Sequence, residues 1–77
     1  MEDPVTSAVG LAEVVPDGSL EGVRAAVRRL RLCGENRTLH VPDSRIPVGV
    51  AALREAGLGG WVCGLSGRRE WFVQAPR

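Results

Sequence analysis

The sequence contains no lysine, one histidine and two cysteines among its 77 residues, and each scarcity removes a class of function. Cys33 and Cys63 stand thirty positions apart with no Cys-x-x-Cys pair, and His40 is the one further soft ligand, so a four-ligand structural zinc site cannot be assembled within one chain. A disulfide between the two is superfluous in a chain that is 44% apolar, and free thiols in a reducing cytoplasm are expected. No apolar run approaches the roughly 20 residues of a membrane span. The start, Met1-Glu2-Asp3-Pro4, lacks the basic and long apolar regions of a signal peptide, so a cytoplasmic protein without membrane contact is expected.

Catalytic patterns are missing as well. His40 has no Asp or Ser at a spacing that makes a nucleophilic constellation, and Gly64-Leu65-Ser66-Gly67 lacks the Gly-x-Ser-x-Gly of a nucleophile elbow, leaving Ser66 as a turn residue. The carboxylates are scattered or stand beside arginines, as in Arg54-Glu55, and do not pair for acid–base work. No catalytic residue, metal ligand, cofactor or small-molecule substrate is therefore assigned, and the chain is not expected to be an enzyme.

What is present is ordinary globular composition: 25% charged residues, mean hydropathy of zero and a mass of 8.2 kDa. That size holds one hydrophobic core, because two would each fall below what stays folded unaided. A single domain over residues 8–77 with a flexible segment 1–7 is expected. The net charge of +1 gives no global field for nonspecific nucleic-acid binding, yet the distribution is uneven. Residues 1–22 carry five acids and no base, whereas 23–37 carry Arg24, Arg28, Arg29, Arg31 and Arg37 against Glu35 alone. That all ten basic residues are arginine is read as codon background.

Laid on itself at an offset of 26, the sequence matches Val15-Pro16-Asp17 to Val41-Pro42-Asp43 and Ala25, Ala26, Arg28, Leu32 and Gly34 to Ala51, Ala52, Arg54, Leu58 and Gly60. An internal repeat, about 12–34 and 38–60, follows. Each copy reads as strand, turn and helix. Leu20, Val23, Val27 and Leu30 recur at helical spacing behind Ser19 as N-cap, with Gly34 as C-cap, giving a helix over 19–33. Ile46, Val50, Leu53 and Gly57 do the same behind Ser44, with Pro47 in the first turn, where a missing amide is harmless, giving a helix over 44–57.

Strands are expected at Ala8–Val15 and Arg37–Val41, each closed by a proline. The repeat sets Glu13 where Leu39 stands, an awkward inward place for a carboxylate, so the first strand should be shifted in register or paired only near its end. Trp61–Leu65 and Glu70–Gln74 flank Ser66-Gly67 as a hairpin. A two-residue turn there pairs Val62 with Trp71 and Trp61 with Phe72 and sends the tryptophans to opposite faces, while a longer loop through Arg68 and Arg69 changes the pairing.

The order β-α-β-α-β-β, with right-handed crossovers, gives an α/β (α+β) two-layer sandwich: a four-stranded sheet, both helices on one face and a C-terminal hairpin. In element order, and in the spacing from Gly34-Glu35 through Leu39, Val41 and Asp43 to the second helix, the chain resembles the small sulfur-carrier domains of the TusA and SirA type. The resemblance implies their fold. Their chemistry rests on a Cys-Pro-x-Pro at the start of the first helix, where this chain has Val15-Pro16-Asp17-Gly18-Ser19, and Cys33 falls at the opposite end of that helix. Sulfur transfer is not carried over.

Three surfaces remain as candidates. The uncovered sheet face, with Val14, Thr38, His40 and one of Trp61 and Trp71, should bind a second copy or a partner protein, the alternative being that both tryptophans cover the core. Arg24, Arg28, Arg31 and Arg37, with Arg68 and Arg69 at the hairpin tip, could contact nucleic-acid phosphates, although a solvated helix face is the commoner meaning of such a stripe. The tip also suggests the wing of a winged helix, but residues 36–45 read as a strand where that fold needs a helix. Asp17 and Asp43 begin the two turns at the carboxyl edge of the sheet, where helix capping is favoured over an anion site.

Overall fold

The computed structural model describes residues 11–32 and 37–75. The expected loose segment 1–7, the first positions of the first strand, Cys33 and the Gly34 cap lie outside the described residues. The chain runs β1 (Leu11–Val14), α1 (Leu20–Leu30), β2 (Arg37–Val41), a 3-10 turn (Asp43–Arg45), α2 (Ile46–Glu55), β3 (Gly60–Gly64) and β4 (Glu70–Val73). The strands form one sheet in the order β1-β2-β3-β4, parallel across the first two pairings and antiparallel in the hairpin. The α/β sandwich expected from the sequence is the observed architecture, and β2 at 37–41 leaves no room for the middle helix of a winged helix.

Ser19 caps α1, its hydroxyl accepting from the Gly22 amide at 3.1 Å. The helix ends at Leu30, earlier than the expected 33: the Arg31 amide still donates to Val27 in the helical pattern, but the Leu32 amide turns to Arg29, three residues back, which tightens and ends the last turn. Val23, Ala26, Val27 and Leu30 face the sheet, while Leu20 stays exposed. In α2, Pro47 lies in the first turn as expected, but Ser44 is no cap: it falls inside the 3-10 turn and makes no capping bond. That turn consumes the residues which would have opened the helix, so α2 begins at Ile46. It ends at Glu55, and Gly57 follows with a positive φ of 74°, outside the helix rather than on its buried face.

Val23, Leu30, Leu53, Leu39, Val41, Val62 and Val73 are fully buried between the helices and one face of the sheet. Sequestering each such side chain contributes about 1.5–3 kcal/mol. Gly49 lets α2 lie close on β2 and β3, since a Cβ there would come within 2.9 Å of a Val62 methyl and 3.0 Å of a Leu39 methyl.

β1 and β2 pair Leu11 with Arg37, Ala12 with Thr38, Glu13 with Leu39 and Val14 with His40, so every partner is 26 residues away. The sequence offset is thus the register of the sheet. Glu13 does face the helices, yet β1 is not shifted in register: it pairs from Leu11 to Val14, and the expected earlier positions 8–10 lie outside the described residues. The carboxylate meets the Arg29 guanidinium of α1, which supplies the partner that an inward charge requires.

Candidate functional site

Strand alternation distributes the side chains over two faces. Leu39, Val41, Val62 and Val73 point into the core, which places their neighbours on the reverse. Registered across the four strands, one row reads Ala12, Thr38, Trp61, Phe72 and the next Val14, His40, Cys63, Glu70. No described helix lies over these rows. Val14 is 55% exposed, Trp61 41% and Phe72 54%, with Thr38, His40 and Cys63 half-buried between them. The Trp61 and Phe72 rings sit 5.1 Å apart at 58°, a tilted pair that fixes both in place.

Val14, Thr38, His40 and Trp61 are therefore brought together. Trp71 is not: it pairs with Val62 and lies on the helix side, 54% exposed beside α2. The tryptophans do take opposite faces, in the pairing expected of a two-residue turn, yet the connection is the longer loop: the Gly67 amide closes a turn onto the Gly64 carbonyl at 3.0 Å, and Arg68 and Arg69 lie between the strands without changing the pairing. Phe72 was overlooked as a surface residue, although the same pairing put it opposite Trp61. Cys63 completes the face. Burial, and secondarily the Glu70 carboxylate, raise its thiol above the ordinary value, the opposite of what a reactive thiolate needs.

The arginines are largely committed to the fold. Arg29 holds Glu13, and Arg24 lies 3.8 Å from Glu55, which pairs with that residue of α1 rather than with neighbouring Arg54. Arg31 donates to the Ala56 carbonyl at 3.3 Å. Arg37 points to the helix side, where Nε donates to the Leu30 carbonyl at 3.0 Å and a terminal nitrogen to Gly59 at 3.4 Å, tying off the end of α1. It is a structural cation, not an extension of an exposed stripe. Arg28 remains exposed on α1, in a groove with Arg24 and Arg31. Arg68 and Arg69 occupy the hairpin tip at the carboxyl end of β2, whereas Arg37 begins that strand, so the structure does not gather these groups into one track.

At the two turns Asp17 behaves as expected of a helix-entry residue. It accepts from the Ser19 amide at 3.1 Å, and that bond is the main cause of a carboxyl held below its usual range. Asp43 does something else. Its two oxygens accept from the Ser66 hydroxyl at 2.6 Å and the Ser66 amide at 3.2 Å, so it fastens the hairpin tip to the turn before α2. The same bonds, the hydroxyl first, hold its carboxyl below the usual range. Nothing local in sequence signalled a contact spanning 23 residues. The turns lie against each other: Gly18, at φ 60°, packs on Arg45 and Pro42, and Arg45 Nε donates to the Gly18 carbonyl at 2.9 Å. With Asp43 occupied by Ser66 and Gly18 covered by Arg45, neither turn presents an open anion cradle.

Among the described residues no group of three or more His, Cys, Asp and Glu side chains could hold a metal ion, and no helix is long and apolar enough to cross a membrane. Comparisons of the chain with protein-family models, with curated proteins and with solved structures found no match.

Proposed function

We propose that the protein is a small binding module, without a reaction of its own, which works through its open sheet face as a homodimer or as the adaptor of a larger assembly. One observation carries this reading: Trp61, Phe72 and Val14 stand exposed on one flat surface across the strands from the core. Paired aromatics so placed supply large, rigid contact area, and such anchors dominate the energy of protein interfaces. A second copy is the favoured occupant, since an apolar face that meets its own symmetry mate buries itself without requiring another gene product. The half-buried, reduced thiol of Cys63 suits a cytoplasmic setting. We also read the two strand–turn–helix segments as copies of one unit, for which the 26-residue register is the support.

The test is a dilution series followed by amide NMR. Signals of Val14, Thr38, His40, Trp61 and Phe72 should move with concentration, while those of the exposed helix surface stay fixed. Shifts confined to Arg24, Arg28 and Arg31 would contradict the reading. Nucleic-acid binding is the lesser reading, because three of the six arginines it needs, Arg24, Arg31 and Arg37, have partners within the fold and the six do not line one track. Its mark would be retention on heparin or DNA at low salt that collapses as salt rises.

A further inference from the structure

We propose that the outer edge of β4 and the groove beside it take an extended peptide in which carboxylates alternate with apolar side chains, adding it to the sheet as a fifth strand. This surface lies on the other side of the hairpin from the Trp61 face and stands independently of the homodimer reading.

The backbone comes first. β4 ends the sheet, pairing with β3 alone among the described strands. The Gly64 amide donates to the Arg69 carbonyl at 2.8 Å, which sets the phase of the antiparallel ladder. By alternation Trp71 and Val73 turn their amides and carbonyls toward β3, and Glu70 and Phe72 turn theirs outward, where an incoming strand would meet them.

Beside that edge runs an apolar floor. Ile46, Pro47, Val50 and Ala51 of α2 face the indole of Trp71 across a depression of about 290 Å³. It continues through Ile46, Pro47 and Trp71 into a second depression of about 680 Å³ toward the hairpin tip. Every second side chain of a paired strand would enter this floor.

Charge then selects the partner. Arg54 flanks the floor at the end of α2, and Arg68 and Arg69 flank it at the tip. Among the described residues none of the three lies within ion-pair distance of a carboxylate. Two acids also line the depression. Asp43 stays ionised, accepting from Ser66 and attracting Arg69 and Arg68 from beyond ion-pair distance, and Glu70 belongs to the row that faces the other side of the sheet, so the three arginines still outnumber the one carboxylate on this side. Cations at both ends of an apolar trough favour an occupant with carboxylates along its length, and disfavour a basic one.

The test uses the full chain, ¹⁵N-labelled, titrated with an acetylated and amidated peptide of about eight alternating glutamates and valines, long enough to span the edge. The expected result is saturable movement of the Glu70 and Phe72 amides and of the Trp71 indole N–H, with the Trp61 indole unmoved. Arg68→Glu with Arg69→Glu should weaken binding about tenfold or more, a loss of about 1.4 kcal/mol. Both residues are exposed, so the variant should keep its fold; Arg54→Glu gives a second, independent loss. N-methylating alternate amides of the peptide should abolish binding by removing the ladder. The proposal is overturned if a control peptide with lysine in place of every glutamate binds as well, if the N-methylated peptide still binds, or if no saturable shift occurs. Movement of the Trp71 indole N–H with protein concentration alone, the signal that the Trp61 face does not reach, would assign the edge to a second copy, and shifts with oligothymidylate but not with the acidic peptide would assign it to nucleic acid; either overturns the peptide assignment.

Discussion

Glu13 of β1 and Arg29 of α1 meet through a single carboxylate oxygen, which lies 2.8 Å from both the Nε and a terminal nitrogen of the guanidinium. The carboxylate side is largely covered, 15% exposed, while the arginine side is 56% exposed. The pair fastens the first helix to an edge strand at the position where the second copy of the repeat has Leu39.

Removal of one partner should therefore cost more than removal of both. Arg29→Ala leaves a covered carboxylate without its donor and should destabilise by about 1–3 kcal/mol in urea unfolding. Glu13→Leu with Arg29→Ala, which copies the Leu39 arrangement, should recover most of that loss. Equal destabilisation by the single and the double variant would mean that the pair does not hold α1 to β1.

The Asp43–Ser66 contact should confer a pH dependence on the hairpin tip. Asp43 has a lowered folded-state pKa, so its contribution is present above the ordinary carboxylate value near about pH 4 and is lost as pH falls through the lower folded value. The Ser66 amide resonance should move over that acidic window, and Asp43→Asn should remove the transition. Gly64→Ala should act like the charge-removing change, since a Cβ at Gly64 collides with the Asp43 carboxylate. A Ser66 amide that titrates unchanged in Asp43→Asn would refute the assignment.

Gly49 tests the packing of α2. Alanine favours a helix interior by about 1 kcal/mol over glycine. Here, however, its methyl would press on Val62 and Leu39, the first of which is a short branched side chain with little freedom to yield. Gly49→Ala should be net destabilising by about 1–3 kcal/mol, and Gly49→Val more so. A stabilised Gly49→Ala protein would show that the helix stands farther from the sheet.

Cys63 should be a slow thiol. With its pKa raised by burial and then by Glu70, it should alkylate at pH 7 more slowly than a free thiol. The rate should still climb above about pH 8.5, where free cysteine has begun to level off. Glu70→Gln should bring a partial acceleration only, because burial is the larger cause. Rapid alkylation at neutral pH would revive a chemical role for this residue.

Most of the architecture was legible in the sequence because it rests on local periodicity and on the repeat. The spacing of Val23, Val27 and Leu30 and the alternation of Thr38 to Val41 each fix one element, and the hairpin keeps the pairing read from Ser66-Gly67 although its turn closes from Gly64 to Gly67. The 26-residue offset even states the β1–β2 register. Errors arose where a distant residue changed the meaning of a local one. Glu13 looked misplaced because its partner, Arg29, stands sixteen residues away and meets it only when the helix packs on the strand. Ser44 looked like a cap because nothing local announces a 3-10 turn held by the hairpin. Arg37 looked free because its carbonyl partners, Leu30 and Gly59, come together only when the sheet forms. Of the candidate face, Val14, Thr38 and His40 followed from alternation, whereas the choice between Trp61 and Trp71 stayed open until the pairing of Trp61 with Thr38 and Phe72 placed it on that face and Trp71 on the other.

The most direct measurement is molar mass by light scattering across a dilution series of the wild-type chain, Trp61→Glu and Trp71→Glu. If the open sheet face holds two copies together, the wild type should approach twice its 8.2 kDa chain mass at high concentration and fall toward it on dilution. Trp61→Glu should then be monomeric throughout, with Trp71→Glu still behaving as wild type. A wild-type mass of one chain at every concentration, or dimers lost with Trp71→Glu and kept with Trp61→Glu, would contradict the account.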